Sequence, residues 1–120
     1  MDEETERRAL IGIAALTVAT GVQQAAVPAV SLNALGASGK PATRHFFGTV
    51  GMFMVCTGGL SAARPDDRAV TLMTAAQKAG AAAAVGLAVR RGVLSPLALG
   101  VAGFDAFTSL LALDYARRLG

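Results

Sequence analysis

Charged side chains divide this chain into four long apolar runs. They cover Ala9 to Val30 (with a continuation to Leu35), Phe46 to Ala63, Ala69 to Val89, and Val93 to Ala116. No charge occurs between Ala9 and Gly39, or between Phe46 and Ala63. Each run is about 18 to 25 residues, the length a helix needs to cross roughly 30 Å of hydrocarbon at about 1.5 Å per residue. A water-soluble helix of that length carries a charged stripe along its wet face, and these runs carry none. The pattern predicts an all-α fold: a polytopic membrane protein forming one antiparallel four-transmembrane-helix bundle over residues 1–120. Its helices are expected near residues 9–35, 46–63, 69–89 and 93–116.

The connectors carry turn chemistry. Ser38-Gly39-Lys40-Pro41 separates the first run from the second through Gly and Pro. Arg64-Pro65-Asp66-Asp67 separates the second from the third, with Asp66 or Asp67 placed to cap the following helix. Arg90-Arg91-Gly92 is short enough to make the last two helices antiparallel neighbours. Pro28 is expected to end or kink the first helix, and Pro96 falls in a first turn, where its missing N–H costs little. Arg7-Arg8 followed by Ala9 to Val22 resembles a secretory leader, but the preceding Asp2-Glu3-Glu4-Thr5-Glu6 is acidic. The segment is therefore read as the first span.

Composition sharpens the class. Of the 120 residues 53% are apolar and 16% charged, against about 25% charged in an average soluble domain, which excludes disorder. One cysteine and one histidine exclude a disulfide framework and a His-rich or multi-cysteine metal centre. Behind the net charge of +3, the basic residues stand in pairs between the runs, and only Lys78 lies inside one. That is the distribution of turns that meet headgroups, without the aromatic and basic interleaving that nucleic acid requires. Arginine outnumbers lysine nine to two, and alanine and glycine abound, which fits a bacterial chain from a GC-rich genome. Arg7, Arg8, Arg64, Arg68, Arg117 and Arg118 fall on the side of the termini, and Lys40, Arg44, Arg90 and Arg91 on the other. The six-to-four bias places both termini in the cytoplasm, in the bacterial inner membrane.

In lipid, helices associate through small residues that let backbones approach. Gly48, Gly51, Gly58 and Gly59 on the second helix are candidates, as are Gly80 to Ala84 and Gly86 on the third, and Gly100, Ala102, Gly103, Ala106 and Ala112 on the fourth. On the fourth helix Leu97, Phe104, Phe107 and Leu111 are expected to face lipid, with Ala98, Ala102, Asp105, Ser109 and Ala112 turned inward. Phe46 and Phe47 beside His45, and Tyr115 beside Asp114 and Arg117, read as interfacial anchors. Cys56 reads as a small core residue.

Lys78 and Asp105 carry the chemistry. Each lies near the middle of its apolar run, and each is 13.5 positions from the midpoint of the Arg91–Gly92 turn. Two antiparallel helices therefore bring them to equal depth. A lone charge at the bilayer centre costs at least about 2.5–3.5 kcal/mol, which a partner at matched depth offsets. Supporting polar groups are Thr74 and Gln77 near Lys78, Thr108 and Ser109 near Asp105, and Thr17, Thr20, Gln23 and Gln24 on the first helix. No phosphate loop, Ser/His/Asp arrangement, metal set or cofactor motif is present. The inventory does not suggest an enzyme.

The residues Arg44-His45-Phe46-Phe47-Gly48, Gly51-Met52-Phe53-Met54, Gln77-Lys78 with Gly80-Ala81-Ala82, Arg91-Gly92-Val93 with Ser95, Phe104-Asp105 and Tyr115 carry a resemblance. The chain resembles small bacterial four-helix membrane proteins that are uncharacterised or loosely DoxX-like. That resemblance implies four spans and carries over no functional residue. The expected function is a non-enzymatic structural or accessory component of a membrane assembly, in contact with the lipid bilayer and forming a homo-oligomer or part of a larger complex. The alternative is a proton- or ion-coupled small transporter or channel, a homo-oligomer working through Lys78 and Asp105. Water-filled space beside the pair would favour the alternative, and a dry, close-packed pair the structural role.

Overall fold

The computed structural model describes all 120 residues. It is all-helical: α1 (Glu3–Ala26), α2 (Pro28–Ala34), α3 (Pro41–Ala63), α4 (Arg68–Arg90) and, after a 3₁₀ turn at Pro96–Ala98, α5 (Leu99–Leu119). Four helical segments, α1, α3, α4 and Pro96–Leu119, are long and apolar enough to cross a membrane.

The long helices run past the apolar stretches because polar residues start and end them. The Asp2 carboxylate accepts the Thr5 N–H at 2.8 Å, so α1 begins in the acidic segment ahead of Ala9. Glu3, Glu4 and Glu6 then occupy the positive end of the helix dipole. Pro41 opens α3 five residues ahead of Phe46, at a position that needs no N–H donor. Asp67 caps α4 by accepting from Ala69 N–H and Val70 N–H. The first run, expected over residues 9–35 with an end or kink at Pro28, is broken there into two helices. Val27 leaves the helical region (φ −137°, ψ 65°) because the residue before a proline is pushed toward extended backbone, and α2 restarts at Pro28.

α1 packs chiefly on α3, and α4 chiefly on α5. The first pair closes on glycines: a Cβ added at Gly51 would lie 2.6 Å from the Gly21 carbonyl oxygen, and one at Gly58 3.0 Å from that of Ala14. By contrast Gly59, Gly80, Gly86, Gly100 and Gly103 have open space where a Cβ would go, so these small residues do not form close seams within the chain.

Two polar clasps join the helix pairs. At the end holding the termini, the Asp66 carboxylate accepts from Arg7 Nε at 2.9 Å and from the Tyr115 hydroxyl at 2.6 Å. Nearby, Arg118 Nη2 lies 3.3 Å from Glu6 Oε1 and donates to the Met1 carbonyl at 3.1 Å. At the opposite end, the Ser95 N–H donates to the Leu35 carbonyl at 2.9 Å, tying the end of α2 to the turn before α5.

Three expected placements are corrected. Tyr115 is 1% exposed and serves as a buried strut under Asp66 rather than an interfacial anchor. Its hydroxyl finds a carboxylate inside the clasp, where a lipid-facing ring would need water or headgroups. Leu111 is buried rather than lipid-facing, because α5 packs on α1 as well as α4 and so buries a broader stripe. Cys56 is exposed on α3 rather than in the core.

The clasp carries a pH dependence. Hydrogen bonds from Arg7 and Tyr115 to the charged carboxylate hold Asp66 below the usual carboxylate range. Its contribution is present above the ordinary aspartate value and is lost as pH falls through the lowered one. Asp66→Asn is expected to flatten the acid side of a thermal-stability profile in detergent below about pH 4. A variant profile that still falls as steeply as the wild type's would remove Asp66 from that role.

Candidate functional site

Lys78 on α4 and Asp105 on α5 meet between the helix pairs, with Nζ 3.2 Å from Oδ1. They are 8% and 7% exposed. The Lys78 ammonium also donates to Thr17 Oγ1 on α1 at 3.3 Å, so three helices converge on one cation. Thr17 can accept because its own proton is given to the Ile13 carbonyl one turn back, at 2.9 Å. One of the ammonium's three protons is thereby directed to Thr17, while Asp105 holds it as an ion pair.

The other polar residues expected around the pair behave differently. Thr74 Oγ1 lies 2.8 Å from Ser61 Oγ, bridging α4 to α3. Thr108 is fully buried, and its hydroxyl donates to the Phe104 carbonyl within α5. Ser109 donates to the Ala75 carbonyl at 2.7 Å and stitches α5 to α4. Gln24 is buried and donates from Nε2 to the Phe47 carbonyl at 3.3 Å, closing α1 on α3. Gln23 is exposed and turned away from the site. Gln77 is half-buried at the cavity wall. None of these six hydrogen-bonds to Lys78 or Asp105; short hydroxyls on a helix are most easily satisfied by their own preceding carbonyls, and long amides by the nearest neighbouring backbone. Phe46 is exposed, edge-on to His45 with ring centroids 5.8 Å apart, while Phe47 is half-buried and lines the cavity.

A cavity of about 680 Å³ borders the pair. Lys78, Asp105, Thr17, Gln77, Thr20 and Gln24 supply its polar side, and Leu16, Val50, Met54, Val85 and Phe104 much of its apolar side. The cavity lies between the α1–α3 and α4–α5 pairs and extends to Leu35, next to the clasp at Ser95. Apolar walls with a few convergent polar groups are the usual makeup of a small-molecule site. The structure shows no group of three or more His, Cys, Asp and Glu side chains able to hold a metal.

Sequence reasoning missed Glu6. It is 2% exposed, with Arg118 at Oε1 and no hydrogen-bond partner at Oε2. The signal was present: Glu6 continues the buried α1 stripe of Ala14, Thr17, Gly21 and Gln24 at helical spacing.

Comparison with protein-family models, with curated proteins and with solved structures finds no match to this chain.

Proposed function

We propose that this chain is an integral membrane protein, an antiparallel four-span bundle, whose Lys78–Asp105 pair forms the exchangeable-charge centre of a small proton- or ion-coupled transporter. The observation that supports this over a purely structural or accessory role is the cavity of about 680 Å³ against the pair. A charge pair that only fixed helix register would gain from close packing on all sides. Here one flank opens onto space able to hold water or a small solute. The inner membrane with both termini cytoplasmic is the setting that the basic residues favour. The open faces at Gly80, Gly100 and Gly103 suit close approach of a second copy.

The structural reading draws on one observation of its own, the three-helix convergence of Lys78, Asp105 and Thr17. Proton flux separates the two. In liposomes containing the purified protein and an internal pH-sensitive dye, an imposed pH gradient is expected to collapse faster than in empty liposomes. Asp105→Asn is expected to return the rate to that of empty liposomes. Wild-type protein that leaves the rate unchanged with every alkali cation tested would leave the structural role as the function of the pair.

A further inference from the structure

We infer that a second, smaller cavity beneath Lys78 is a water site that links the Lys78–Asp105 pair to the connector between α3 and α4. The water site stands on its own geometry, and its part in proton movement rests on the transport reading above. This cavity has a volume of about 30 Å³ and shares Lys78, Gln77 and Thr17 with the larger one. From there it passes Thr74, Ser61 and Thr57 and ends at Thr71 and Pro65, one residue from Asp66. A water needs about 10–15 Å³ of such space and two to four polar partners, so there is room for one or two.

The polarity of the lining decides what fits. Thr57 donates to the Phe53 carbonyl at 3.0 Å and Thr71 to that of Asp67 at 2.9 Å. Thr74 Oγ1 lies 3.2 Å from the Val70 carbonyl, and Ser61 Oγ 2.9 Å from that of Thr57. Thr57 and Thr71 commit their protons to their own helices, while Ser61 and Thr74, 2.8 Å apart, use one proton between their oxygens and the other on a helix carbonyl, so the four hydroxyls offer oxygen lone pairs. A ligand here must donate to hydroxyl oxygens and accept from the Lys78 ammonium or the Gln77 amide. Water does both. An anion lacks protons for the hydroxyl lone pairs, and a metal cation is repelled by the ammonium in the wall.

The pair then touches space on two sides: the large cavity toward the Leu35–Ser95 end and the water site toward the Asp66 end. The proton accounting closes. Asp105, protonated from the large cavity, releases Lys78. The ammonium gives a proton to the water, breaking an N–H bond and forming an O–H bond. The Asp105 carboxyl then returns its proton to the amine. The ion pair is restored, and the protonated water gives its extra proton to solvent at the α3–α4 connector, so one proton has crossed.

Water-edited solid-state NMR on the full chain in lipid bilayers tests the site. In the wild type, Thr57, Ser61 and Thr74 are expected to receive magnetisation from water several-fold faster than Thr108, which is fully buried and lines neither cavity. Replacing both bridging hydroxyls, Ser61→Ala with Thr74→Val, is expected to slow transfer to Thr57 to the Thr108 rate. Wild-type hydroxyls as dry as Thr108, or transfer to Thr57 unaltered in the variant, would overturn the water site. In the flux assay the same variant is expected to lose about a hundredfold, in keeping with the loss of a positioned proton carrier. Unchanged flux would overturn the route. Absence of flux in the wild type would overturn the transport reading, and with it the proton role, while the NMR comparison would still decide the water site.

Discussion

Removing either Lys78 or Asp105 alone is expected to destabilise the folded protein by about 3–5 kcal/mol, and removing both by less. Each single substitution leaves the other charge at 7–8% exposure without its partner. A stranded charge has one escape, which is to become neutral. Access to the large cavity moves the cost toward the lower end, because water there solvates part of the stranded group. Lys78→Met and Asp105→Asn should each lower the denaturant midpoint in detergent, and the double variant should recover part of the loss. Thr17→Val should cost less than either, since it removes one neutral acceptor and leaves the ion pair in place. A double variant as damaged as the sum of the singles would mean that the two side chains do not stabilise one another.

What could be read in advance follows from the range of the forces involved. The depth match of Lys78 and Asp105 is a matter of counting residues from the Arg91–Gly92 turn, and charge-free runs betray long apolar helices directly. Helix ends were less legible. A charge at Glu3 or Arg90 reads as connector, yet it sits comfortably within a terminal helical turn when it complements the dipole. The break at Val27 needed only the rule for residues before proline. Tyr115 was placed wrongly because an aromatic beside charges near a span's end has two solutions, headgroups outside or a carboxylate inside. Only the folded position of Asp66, 49 residues away, selects between them. The cavity was not legible at all. It depends on how the α1–α3 and α4–α5 pairs separate between their two clasps, a property of pairwise packing that no single helix carries. The same packing decides which glycines matter: Gly51 and Gly80 look alike along the chain, and only one meets a neighbouring backbone.

That contrast makes the other large effect predictable. Gly51→Ala is expected to destabilise the protein by about 1–3 kcal/mol, as overpacking does in close-packed interiors, and Gly51→Leu by more. A Cβ at this position would stand 2.6 Å from both the Gly21 carbonyl oxygen and Gln24 Cβ, and 2.9 Å from Ala25 N. Two of these three atoms are backbone, so no rotamer change relieves the clash and α1 must move away from α3. Such a shift also lengthens the bond from Gln24 Nε2 to the Phe47 carbonyl, already 3.3 Å, and displaces the wall that carries Val50 and Met54. Gly80→Ala and Gly100→Ala are the matched controls. Each adds the same methyl into open space within a helix, so each is expected to be neutral or to stabilise by up to about 1 kcal/mol through helix propensity. Denaturant titration of the three alanine variants in one detergent measures the difference directly. If Gly51→Ala is no worse than Gly80→Ala, the α1–α3 seam is not closed by glycine contact. If Gly80→Ala or Gly100→Ala instead dissociates an oligomer with the monomer's stability unchanged, their open faces are where a second copy packs.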